Sequence, residues 1–142
     1  MNNMPVSFLV HFFALIWLSV CSWLDWKTRQ VPNWLTIPVL FLALLMRLSG
    51  QAVGPWQSAL SICVLVLGLW AAGVGIGGAD AKITAALALF DPALAAWAWM
   101  GVVSWYLAVL LVTFGRQRPY KLPGVVGFLL GILIYLTWRI WL

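Results

Sequence analysis

The chain has no glutamate, and its acidic residues are three aspartates: Asp25, Asp80 and Asp91. It has one histidine, His11, and two cysteines, Cys21 and Cys63. Protein zinc sites draw on grouped Cys and His ligands. With no CxxC pair and no His/Cys/Glu grouping, no metal and no other cofactor is indicated. A Ser-His nucleophile is unsupported too, because His11 stands alone in an apolar run. The cysteines also lie in apolar runs, and packing is their expected role. Charged residues make up 8% of the chain, whereas a soluble domain carries roughly 25%. The net charge of +5 rests on scattered Lys and Arg near helix ends. That pattern excludes a nucleic-acid surface and fits membrane topology signals.

What is present is apolar. Hydrophobic residues make up 65% of 142 positions, with 11 Trp. Several Trp (Trp26, Trp34, Trp56, Trp138, Trp141) fall near expected helix ends, where indole rings favour the headgroup region. The fold class is therefore all-α: a polytopic integral membrane protein, one transmembrane domain over residues 1–142. The first apolar run, Met4 to Leu24, has no Lys or Arg before it and no small-residue cleavage site after it. It is expected to be retained as a helix. Pro32 ends it by about Gln30. A second helix is expected from about Trp34 to Arg47, a third from Trp56 to Ile76, a fifth from Pro92 to about Gly115, and a last from Gly124 to Leu142. Between them, Ala81 to Phe90 is too short for the roughly 20 residues of a span unless it begins in the preceding Gly-rich stretch.

Parity decides whether that short segment crosses. Lys27 and Arg29 place the loop after the first helix in the cytoplasm. If the fourth segment crosses, Arg116, Arg118 and Lys121 are cytoplasmic as well. The expectation is six crossings with both termini outside. Arg47 and Arg139 then fall on the outer side, against the trend. Asp91 lies in an outer turn and is expected to cap the helix that starts at Pro92.

Asp25 and Asp80 are thereby placed at one membrane face, on different helices. Two carboxylates sharing a site do not both ionise readily, so one keeps a proton near neutral pH. The ionised one can activate a water and the neutral one can protonate a leaving amine. Aspartyl hydrolysis is the main chemistry these residues permit. A plainer role is open for Asp25: it precedes Arg29 by four residues, the favourable order for a helical ion pair. Lys82 is expected to snorkel to the interface, with orienting of substrate as the alternative. Asn33 is expected to cap the second helix. A small transporter, or a non-enzymatic scaffold of a secretion or pilus assembly, is the competing class. Ion pathways, however, usually place the ionisable group near mid-membrane.

Two motifs carry a resemblance. Asp25-Trp-Lys-Thr-Arg29-Gln-Val31-Pro32-Asn33 resembles the first motif of type IV prepilin peptidases, an Asp, a basic residue and then Ile/Val-Pro-Asn. Gly77-Gly78-Ala79-Asp80-Ala81-Lys82 resembles their second, Gly-x-Gly-Asp-x-Lys, with Ala79 in place of the second Gly. The resemblance implies a membrane aspartyl endopeptidase of the prokaryotic cytoplasmic membrane. Such enzymes remove short basic leaders from prepilins or pseudopilins at the cytoplasmic face. It implies Asp25 and Asp80 as the catalytic pair, and no cofactor. Larger bacterial members insert a domain with two CxxC pairs between the first two helices. Here only Asp25 to Asn33 lies there, so the chain is similar to the minimal, peptidase-only type, as in tight-adherence (Flp) pilus systems or archaellin processing.

Overall fold

The structure, a computed structural model, describes residues 6–74, 76–113 and 124–141. Gly75 and the basic segment Arg116 to Lys121 lie outside them. Among the described residues the fold is six helices: α1 (Val6–Thr28), α2 (Asn33–Leu48), α3 (Trp56–Ala71), α4 (Gly78–Phe90), α5 (Pro92–Val112) and α6 (Gly124–Trp141). α1 and α5 are long and apolar enough to cross a bilayer, and α2, α3 and α6 are shorter apolar helices. Large apolar side chains face outward, such as Phe8, Phe12 and Ile16 on α1 and Leu107 and Leu111 on α5. Helices that are apolar on their outer faces suit a lipid surround.

α3 ends five residues before the expected Ile76, because Gly73 takes a left-handed backbone (φ 71°) and turns the chain. α4 does begin in the Gly-rich stretch, yet it has only 13 residues. That is about 20 Å, against about 30 Å of hydrocarbon. It is tolerated because protein surrounds it. α2, α3 and α5 pack around α4, and every residue from Ile83 to Phe90 is buried.

The buried C-terminus of α4 leaves four carbonyls without helical partners. Asp91 N–H donates to Leu87 O (2.8 Å) and Val53 N–H to Phe90 O (2.9 Å). Arg47 serves the two between them: Nε donates to Leu89 O (2.8 Å) and Nη2 to Ala88 O (3.3 Å). The same guanidinium donates to Gly54 O (2.7 Å) and Val53 O (2.8 Å) and lies over the Trp56 ring. Arg47 is 3% exposed, so it is a buried cap and not a surface topology charge.

α5 and α6 pack backbone to backbone. A Cβ on Gly101 would overlap Gly127 O and Gly131 N, and a Cβ on Gly131 would overlap Trp97 O. The small residues at Gly127 and Gly131 permit this approach, as small-xxx-small patterns do in membrane helices. α1 packs along α6. At the end of the bundle that holds Asp91, His11 Nε2 lies 3.1 Å from Asp91 Oδ2, and Tyr135 and Arg139 adjoin them. His11 is therefore not alone: it joins α1 to the start of α5. Asp91 also caps α5 as expected, its Oδ1 accepting from Ala93 N–H at 2.9 Å.

Candidate active site

The opposite end of the bundle holds the other two aspartates. α1 stops at Thr28, and Arg29 takes a left-handed backbone (φ 58°) that turns the chain toward Pro32. Asp25 lies in the last turn of α1 and faces the start of α6. Its Oδ2 accepts the Val125 N–H at 3.2 Å, and one turn earlier Ser22 Oγ donates to Val125 O at 3.0 Å. α1 thus grips both backbone groups of one residue. The N–H is one that a helix N-terminus leaves free.

Asp80 is the third residue of α4, after Gly77 at the cap position. Its carboxylate sits against bare backbone on two sides. A Cβ added at Gly77 would lie 3.0 Å from Asp80 Oδ2, and one added at Gly124 would lie 3.3 Å from Oδ1. Side chains at either position would crowd it. Gly78 is needed for a different contact, since a Cβ there would meet the Trp70 indole nitrogen at 3.2 Å. Asp25 and Asp80 therefore approach adjacent residues at the start of α6, Val125 and Gly124 respectively, from different helices.

Both aspartates line one cleft of about 870 Å³. Arg29, Pro32, Asn33, Gly77, Gly78 and Ala79 line it as well. So do Trp34, Tyr106, Gly124 and Val125, which the motifs do not include. Nothing in the linear sequence ties α5 or the start of α6 to the two motifs. Only the α5–α6 packing brings them there. Asp91, at the other end of α4, takes no part.

Three expectations fail here. The Asp25–Arg29 ion pair does not form, because Arg29 lies past the end of α1 and off its helical register. Among the described residues the ion pair present is His11–Asp91. Asn33 does not cap α2: it is the first helical residue, Pro32 holds the cap position, and no side chain bonds the cap. Lys82 does not simply reach for the interface. Its Nζ donates to Asn33 Oδ1 at 2.6 Å, linking the two motifs across 49 residues. Sequence spacing could not show that bond, since the partners lie on different helices.

Two carboxyls lining one open cleft can divide acid and base roles without a metal. No group of three or more His, Cys, Asp or Glu able to hold a metal is found among the described residues. No curated protein and no solved structure matches the chain. The sequence model of the Type IV leader peptidase family matches residues 12–136, a span that contains both motifs and both aspartates of the cleft. The chain belongs to the type IV leader peptidase family.

Proposed function

We propose that the chain is a membrane-embedded aspartyl endopeptidase, with Asp25 and Asp80 as its catalytic pair. It removes the short basic leader of prepilins or pseudopilins at the cytoplasmic face of a prokaryotic membrane, in the minimal form without a CxxC domain. Family membership implies leader peptidase activity on prepilin substrates. The observation that carries the residue assignment is the approach of Asp25 to Val125 and of Asp80 to Gly124 in one cleft. The ionised carboxyl takes a proton from water, whose oxygen attacks the scissile carbonyl carbon. The protonated carboxyl then gives its proton to the departing amine as the C–N bond breaks.

The topology belongs to the same reading. His11 and Asp25 are separated by 14 residues of one helix, about 21 Å. The His11–Asp91 contact and the Asp25–Asp80 cleft are thus opposite ends of the bundle. The cleft end is cytoplasmic, with Lys27 and Arg29 beside it, and both chain termini are outside. The apparent exceptions, Arg47 and Arg139, have partners inside the protein, a carbonyl cap and the His11 cluster.

The test is cleavage of a co-expressed prepilin. Asp25→Asn and Asp80→Asn should each abolish the shortened product while the protein still inserts and accumulates. Asp91→Asn should leave cleavage in place. Cleavage retained in either of the first two variants would overturn the assignment.

A further inference from the structure

The register of α5 against α6 points to a residue that neither motif contains. Gly131 packs on Trp97 and Ala98, and Gly127 packs on Val102. The two helices therefore run antiparallel. One turn along α5 from Val102, on the same face, stands Tyr106. One turn back along α6 from Gly127 lies Gly124. Tyr106 is thus set opposite the start of α6, where Asp25 holds Val125 and Asp80 abuts Gly124. It is half exposed, and it is the residue of α5 that lines the cleft. Asp25 and Asp80 line the same cleft.

Hydrolysis by a carboxyl pair leaves one demand unmet. The two carboxyls serve the water and the leaving amine. Negative charge meanwhile develops on the scissile carbonyl oxygen, and a positioned donor there contributes strongly to rate. A phenol keeps its proton far above neutral pH, so in this cleft it is a donor and not a base. Thr28 Oγ1 is committed to carbonyls of its own turn, and Val125 N–H to Asp25.

We propose that the Tyr106 hydroxyl donates a hydrogen bond to the carbonyl oxygen of the scissile peptide bond and stabilises the charge formed there. The proposal rests on the peptidase reading above. The phenol keeps its proton throughout. The attacking water's proton goes to the ionised carboxyl, and the leaving amine receives the proton of the neutral one.

Tyr106→Phe removes the hydroxyl and keeps the ring. Cleavage kinetics of the purified full chain on a prepilin substrate should show kcat lowered by about 100- to 1,000-fold, with KM changed less than about threefold. The thermal melt should match wild type. A kcat within about threefold of wild type would overturn the proposal, and so would a loss confined to KM, which marks uniform binding. Asp25→Asn in the same assay separates the two levels. If it cleaves like wild type, the peptidase reading itself falls. If it is inactive while Tyr106→Phe is fully active, only the role of Tyr106 falls.

Discussion

Arg47 supports a quantitative expectation. Replacing it with Met keeps an unbranched apolar stem and removes the guanidinium with all of its donors. Ala88 O and Leu89 O, at the enclosed end of α4, then lose their partners, because no other donor meets them there. Each orphaned buried carbonyl costs about 1–3 kcal/mol, so the pair costs about 2–6 kcal/mol. The acceptors Gly54 O and Val53 O are nearer the surface, where water replaces the guanidinium at little cost. Against a total stability of about 5–15 kcal/mol the loss is large. At about 3 °C per kcal/mol for a chain of this size, the melting temperature should fall by about 6–18 °C. The assay is thermal unfolding in detergent, followed by the fluorescence of the tryptophans. Arg47→Lys should fall between Met and wild type, since one ammonium cannot span four carbonyls. If Arg47 is only an outward positive charge, Lys should match wild type and Met should melt within about 2 °C of it. That pattern would refute the capping account.

Other expectations follow from the packing and the cleft. Gly131→Ala should separate α5 from α6, because the new Cβ overlaps Trp97 O; it should lower the melting temperature and, by moving the start of α6, reduce cleavage. Ala79→Gly should cleave within about twofold of wild type, since it adds no bulk, whereas Ala79→Val should be impaired by a branched side chain on the cleft wall beside Asp80; full activity in the Val variant would show that the bare wall has no purpose. Lys82→Met and Asn33→Ala should each slow cleavage by a similar factor, and the double variant should be no slower than either, the signature of one shared bond. Additive losses would separate the two residues.

The helical class, the six segments and the placing of Asp25 and Asp80 at one end of the bundle were legible because each rests on signals read along the chain. Apolar length, a proline or glycine boundary and the parity of basic loops are read in order along the sequence. The Asp91 cap belongs to the same kind, being a contact over two residues. What escaped were contacts between helices. The hidden role of Arg47 depends on how α2 packs against the far end of α4, 41 and 42 residues away. The Lys82–Asn33 bond and the placement of Tyr106 depend likewise on packing that no periodicity encodes. The ion pair of Asp25 with Arg29 failed for the opposite reason. The spacing was right for a helix, but the helix stops at Thr28, before the second partner.

The enclosure of α4 also bears on how the chain enters a bilayer. A segment of 13 residues with Asp80 and Lys82 in its opening turns presents too little apolar length to partition into lipid unaided. It can settle only when α2 and α3 on one side and α5 on the other are there to receive it. Insertion is therefore cooperative at this point: α4 settles once α5 has been made. A nascent chain cut at Asp91 would hold the Asp80 motif in a segment without its wall, and a reporter fused there should read a mixed orientation. Extending the fusion to Val112 should resolve it to one.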